Sequence, residues 1–263
     1  MRKAVGLAVA VGAAAAMVAG CSSPQAVQTP PAGQSTVGSV QGRPEPDAPP
    51  PPQFAQPYQF GTPQGHVPPT VDGKAPVVRK IQTDKPYVFI TMDDGAIKDP
   101  SALQLIKDSG AKPTLFLNEK YFKGHEAYFK AIQDQAGVEI DDHTMTHPNL
   151  RGKPYEAQKK EICGDADAIA AAFGKRPLLF RPPFGNYDAN TQKAVTDCGM
   201  KAIVLWTAAV NDGVVQFQSG DKLKPGDIVL MHFRTTFVED FRAFLARAKQ
   251  DGVTPVPLSD FLQ

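Results

Sequence analysis

A chain of 263 residues has room for one large domain or two small ones. Its 28 basic and 27 acidic residues leave a formal charge of +1 with no basic cluster, which excludes a global electrostatic pull toward nucleic acid. The 42% hydrophobic content is ordinary for a soluble globular protein.

The N-terminus departs from that picture. Arg2 and Lys3 precede an apolar run from Ala4 that ends in Val18-Ala19-Gly20-Cys21. A short basic start, an apolar stretch and small residues before a break read as a secretory signal. A cysteine placed directly after small residues resembles a bacterial lipobox. Residues 1–21 are therefore expected to be a lipoprotein signal peptide, with Cys21 as the lipidated first residue of the mature protein. A plain signal or a short anchor is the alternative, but the run is rich in Ala and Gly and falls short of the roughly 20 apolar residues of a membrane span. The expected location is the outer face of the bacterial cell membrane, with secretion as the alternative. Export makes a disulfide feasible, and with Cys21 committed to lipid the expected pair is Cys163 with Cys198, two separate buried thiols being the alternative.

Residues 22–75 hold roughly half of the 25 prolines, among Gln, Ser, Gly and Thr. Pro49-Pro50-Pro51-Pro52 favours extended polyproline II, and few large apolar residues are available to bury. This segment is expected to be a disordered Pro-rich spacer that gives an anchored domain reach. Residues 76–263 have a globular composition. Strand-like apolar runs fall at Tyr87–Met92, Thr114–Leu117, Val138–Ile140, Leu178–Phe180, Ala202–Trp206, Ile228–Met231 and Val253–Val256. Helical spacing lies between them at Pro100–Ser109, His125–Gln135, Tyr155–Phe173, Ala189–Cys198 and Val238–Asp251, and Gly110, Gly137, Gly174, Gly199 and Gly252 follow these segments. The alternation implies an α/β fold with parallel strands and crossover helices. A small β/α barrel is expected, with an open doubly wound sheet as the alternative.

Polar residues collect after these strands: Asp93 and Asp94 after the first, His143 and His147 after the third, Arg181 after the fourth. Asp212 lies in the loop after the fifth, and His232 ends the sixth. In a β/α barrel the C-terminal strand ends share one mouth, so these residues are expected to converge. Asp94, His143 and His147 offer one carboxylate oxygen and two imidazole nitrogens. Three protein ligands leave coordination positions open, the pattern of a catalytic rather than a structural site. The His-x3-His spacing lets both rings face one ion if the segment makes a helical turn. The adjacent pair Asp93-Asp94 reads as one carboxylate on the metal and the other free as a base, a solvated turn being the alternative.

Thr91-Met92-Asp93-Asp94-Gly95 resembles the first motif of the polysaccharide deacetylases, the NodB-homology or carbohydrate esterase 4 family. His143-Thr144-Met145-Thr146-His147-Pro148 is similar to its metal-binding second motif, Arg181-Pro182-Pro183-Phe184-Gly185 to its third, and Leu230-Met231-His232 to its last. The motifs come in the family's order, from about Val77 to the C-terminus. The resemblance implies a distorted (β/α)7 barrel, TIM-like, that removes acetyl groups from an N- or O-acetylated sugar with one divalent metal. By motif position Asp94, His143 and His147 are the expected ligands, Asp93 the general base, His232 the general acid, and Arg181 the partner that holds Asp93. The Phe184 N–H is expected at the oxyanion, and Leu230 in the acetyl pocket.

The fourth motif departs from the family. It usually ends in Asp-Trp; here Asp212 is the candidate for orienting His232, Gly213 replaces the Trp, and Ala209 stands where an Asp is often seen. Trp206 reads as packed core. The expected substrates are peptidoglycan, a chitin-type polymer or acetylated xylan, and zinc is the expected ion, with cobalt, nickel or manganese as alternatives. A monomer is expected, with no nucleic-acid partner. Two other readings are a glycan-binding barrel without turnover and a two-histidine, one-carboxylate iron oxygenase. The β/α alternation disfavours the oxygenase, whose ligands normally come from a jelly-roll strand pattern.

Overall fold

Strands and helices alternate along residues 50–263, the part described by the computed structural model. The expected signal segment, Cys21 and the start of the expected spacer lie outside the described residues. In chain order the elements are β1 (Val77–Val78), β2 (Tyr87–Asp94), α1 (Ala102–Ser109), β3 (Thr114–Leu117), α2 (Glu119–Phe122), α3 (Glu126–Ala136), β4 (Glu139–Asp142) and α4 (Tyr155–Phe173). There follow β5 (Leu179–Phe180), α5 (Ala189–Asp197), β6 (Ala202–Val204), β7 (Ala208–Asn211), β8 (Val214–Phe217), β9 (Ile228–His232), α6 (Phe237–Gln250) and β10 (Thr254–Pro255). Each expected strand and helix is present, and Gly110, Gly137 and Gly174 end their helices in the left-handed conformation.

The sheet runs β1-β6-β5-β4-β3-β2-β9-β7-β8, with β10 added to β2, and every pairing is parallel except the β7–β8 hairpin. It curls into an opened (β/α)7-type barrel. The strand ladder does not close the ring; Ile81 N–H donates to Gly226 O at 2.9 Å and the Lys80 ammonium meets Asp227 at 3.0 Å across the gap.

Central β2 shows how the sheet is covered. Val88, Ile90 and Met92 face the helices with Phe129, Phe241 and Phe244, while Phe89 joins the other cluster with Phe116, Val204 and Leu179. A strand buried on both faces reads as a continuous apolar run, which is why Tyr87–Met92 lacked alternation. By period two, Phe89, Thr91 and Asp93 share the face opposite the helices, so Asp93 points among the strands.

Two expectations need correction. The spacer does not extend to residue 75: Phe54 N–H donates to Ser109 O at 3.0 Å, and Tyr58, Phe60 and Val67 pack against the cluster that holds Phe89 and Phe261. Asp260 accepts from Gly61 N at 3.1 Å, tying this strap to the N-terminal end of the barrel. Proline content obscured three aromatic residues with a surface to cover. Deleting residues 50–75 is expected to cost about 2–4 kcal/mol, the burial of one or two large side chains, read as a lower urea midpoint; an unchanged midpoint would show that the strap adds nothing.

Asp212 does not sit in a simple strand-to-helix loop. Asp212 (φ 50°) and Gly213 (φ 71°) form the two-residue turn of the β7–β8 hairpin. Positive φ at both central positions is the type I′ geometry that Asp-Gly favours. The Gly213 N–H donates to Asp240 at 2.9 Å, and a Cβ there would meet the Glu239 carboxylate at 2.6 Å. Gly213 suits this turn on two counts, its positive φ and its closeness to α6.

Candidate metal centre

Asp93 and Asp94 end β2, but their backbones differ. Asp93 stays in the strand, 2% exposed, in register with His232 of β9. Asp94 has φ 75°, which breaks the alternation and turns its carboxylate toward the histidines. His143 follows β4 directly. Its Nδ1 lies 2.6 Å from Arg181 O, so that nitrogen carries the proton and donates, leaving the Nε2 lone pair for the centre. That Nε2 lies 3.6 Å from Asp94 Oδ1, and His147 Nε2 lies 3.4 Å from the same oxygen.

Three other non-glycine residues here also have positive φ: Thr144, His147 and Phe184. Such conformations cost on the order of 1–3 kcal/mol each and persist only where surroundings impose them. The surroundings are visible. The His143 N–H donates to Asp165 at 3.1 Å, and the Thr144 N–H to Asp142 at 2.9 Å. Thr146 donates twice to Glu161, and Asn118 Nδ2 donates to Thr144 O at 2.9 Å. The His143–His147 segment is thus a strained loop rather than the expected helical turn, although the rings still face each other with centroids 5.0 Å apart. Asp165 and Glu161 lie on α4, which approaches the loop at Gly164, where a Cβ would overlap the Met145 side chain. Cys163 and Cys198 are disulfide-bonded with Cα atoms 5.1 Å apart, tying α4 to the end of α5. Asn118, Asp142, Glu161 and Asp165 carry no motif signal; only the positions of Asn118, directly after β3, and of Asp142, beside His143, pointed to the mouth.

Burial pushes the His143 pKa down to about 3, against the pull of Asp94, and burial lowers His147 as well. Both rings are neutral at pH 7, so their contacts with Asp94 are not ion pairs. Lone pairs face a carboxylate, an arrangement that calls for a cation between them. Asp94 Oδ1 is also buried without a hydrogen-bond partner. The three ligand atoms lie within 4.8 Å of one another, so the residues fit one divalent ion. Behind His143, burial raises both the Asp142 and Asp165 carboxyls well above the usual carboxylate range, and Asp165 beside it pushes Asp142 up further.

Arg181 is fully buried beneath Asp93. Its Nη1 donates to Asp93 Oδ1 and to Thr91 Oγ1, each at 2.7 Å, and its Nε donates to Val204 O at 3.1 Å. The guanidinium lies 4.3 Å from the Phe116 ring centroid and 5.6 Å from that of Trp206, which is partly buried and packs against the core. Phe184 is 64% exposed, its ring 4.7 Å from that of His147. Leu230 is buried two residues before His232 in β9, on the same face. The expected partner of His232 is displaced. Asp212 sits exposed on its hairpin turn, and the group at His232 Nδ1 is instead Arg234 Nη2, at 2.7 Å. A cavity of about 320 Å³ lies at the other end of the barrel, lined by Glu139, Asp141, Lys201 and Asp260 and holding none of these residues.

Together these residues define an opened (β/α)7-type barrel with a candidate metal site at the C-terminal ends of its strands. The sequence profile of the polysaccharide deacetylase family matches residues 80–203. The chain is 43% identical over 157 residues to an uncharacterized protein of Streptomyces coelicolor, covering 59% of this chain and 62% of that one, so it spans less than two thirds of that relative. It is 27% identical over 201 residues to a peptidoglycan-N-acetylglucosamine deacetylase of Bacillus cereus, covering 71% of this chain and 93% of that one. A pseudoenzyme of carbohydrate esterase family 4 from Bacillus anthracis shares the fold, with a TM-score of 0.63 at 23% identity over 74% of this chain and 73% of that one.

Proposed function

We propose that this chain is a polysaccharide deacetylase that hydrolyses acetyl groups from an N-acetylated, or O-acetylated, cell-wall or extracellular glycan. Peptidoglycan or a chitin-type N-acetylglucosamine polymer is the favoured substrate, with acetyl-xylan as the alternative. The observation that carries the reading is the orphaned Asp94 oxygen facing two neutral imidazoles beside an arginine-held carboxylate. Asp94, His143 and His147 would hold one divalent ion, zinc by expectation, with cobalt, nickel or manganese as alternatives. Such an ion supplies Lewis acidity at the acetyl carbonyl and acidifies water. Asp93, fixed by Arg181, takes the proton of the attacking water. His232 faces the departing atom from the adjacent strand. The Phe184 N–H supports the oxyanion, and Leu230 lines the acetyl pocket. Anchoring through Cys21 outside the cell membrane is part of the same proposal and rests on the lipobox-like sequence. The protein acts as a monomer without nucleic acid.

A second reading, glycan binding without turnover, is favoured by the altered fourth motif, in which Asp212 lies away from His232. Acetate release from purified peptidoglycan, chitooligosaccharides and acetyl-xylan, with metal analysis, separates the two. Release that a chelator abolishes and zinc restores is expected. A fully metal-loaded protein that binds these glycans but frees no acetate would leave the binding module standing.

A further inference from the structure

We infer that Arg234 positions His232 and holds it as the Nε2–H tautomer, so that the ring serves the departing atom as a neutral hydrogen-bond donor. The catalytic half of this statement rests on the deacetylase reading; the tautomer does not. A guanidinium has five N–H donors and no acceptor. With Arg234 Nη2 at 2.7 Å, His232 Nδ1 must accept, which puts the single ring proton on Nε2. A carboxylate in the same place would accept from Nδ1–H and favour the imidazolium. Arg234 is anchored from two further elements. Its Nη2 also donates to Asn211 Oδ1 of β7 at 2.7 Å, and its Nε lies 3.8 Å from Asp240 of α6. Asp240 is itself fully buried and accepts from Gly213 N and Thr236 Oγ1, both at 2.9 Å. The hairpin that carries Asp212 away from His232 is thus the element that brings Asn211 to Arg234.

A neutral ring offers a hydrogen bond but no spare proton, so proton traffic runs through Asp93. As the water oxygen bonds to the acetyl carbon, its proton passes to Asp93. As the C–N or C–O bond breaks, Asp93 returns that proton to the amine nitrogen or sugar oxygen.

The test uses ¹⁵N-labelled, zinc-loaded protein and long-range ¹H–¹⁵N spectra, with His232→Asn assigning the ring. Wild-type His232 is expected to show a protonated Nε2 and a bare, hydrogen-bonded Nδ1. Arg234→Met should shift that tautomer balance and lower kcat by about 10–100-fold, the usual cost of losing an orienting partner. KM should stay within about threefold and metal content should be unchanged, because the lost contact touches neither substrate nor ligands. Arg234→Lys should restore part of kcat, and Asp212→Ala should leave both spectrum and kcat at wild-type level. A protonated Nδ1 in the wild type, or an Arg234→Met protein with wild-type spectrum and kcat, overturns the inference. Absence of acetate release by the wild type would instead defeat the deacetylase reading, and the spectra would still decide the tautomer.

Discussion

Asp93→Asn is expected to keep about one metal ion per chain while kcat for acetate release falls about 10²–10⁴-fold, the range of one positioned base. The amide keeps the shape and can still accept from Arg181 Nη1, which lies 2.7 Å from Asp93 Oδ1, but it cannot take a proton from water. His147→Ala should do the opposite to the metal. It removes one of three candidate ligand atoms, so metal analysis after dialysis should find the variant largely empty. Near-normal turnover in Asp93→Asn with metal retained would remove Asp93 as the base. Wild-type metal content in His147→Ala would remove the ligand set.

Arg181→Met should destabilise the fold by about 3–5 kcal/mol, the cost of leaving a buried charge without its partner. Asp93 is 2% exposed and Arg181 fully buried, so water cannot replace the guanidinium. Thr91 Oγ1 and Val204 O lose donors in the same step. The Arg181→Met/Asp93→Asn double variant should recover part of the loss, because the neutral amide no longer needs a cation. Urea denaturation of the four proteins measures this as a coupling of about 1–3 kcal/mol. Additive losses would mean that Arg181 supports the barrel without supporting Asp93.

Much of the fold was legible because its signals are local. Buried parallel strands require unbroken apolar runs, amphipathic helices place apolar residues three and four apart, and helix ends favour glycine. Tyr87–Asp94 and Ala102–Ser109 show both patterns clearly. The candidate metal ligands were legible for a related reason: parallel strands send their C-terminal ends to one side, so Asp94 and His143 converge once the alternation is read. The strap at residues 50–75 was misread because composition averages over a segment, and its aromatic residues have value only where the barrel's N-terminal end needs covering. The β7–β8 hairpin was missed although Asp212-Gly213 between short apolar stretches is its usual cue.

The amino-acid sequence by itself determined most of the order of strands and helices and the one-sided cluster of candidate ligands, while the pairing of Arg181 with Asp93 came from the resemblance of the motifs. Tertiary structure alone decided that Asp165 and Glu161 grip the His143–His147 loop from α4, that this loop is strained rather than helical, and that Arg234 rather than Asp212 meets His232. The physical reason is the range of the forces. Periodicity and turn chemistry act over a few residues, whereas a positive φ at His147 or a guanidinium against an imidazole exists only because distant elements hold it there.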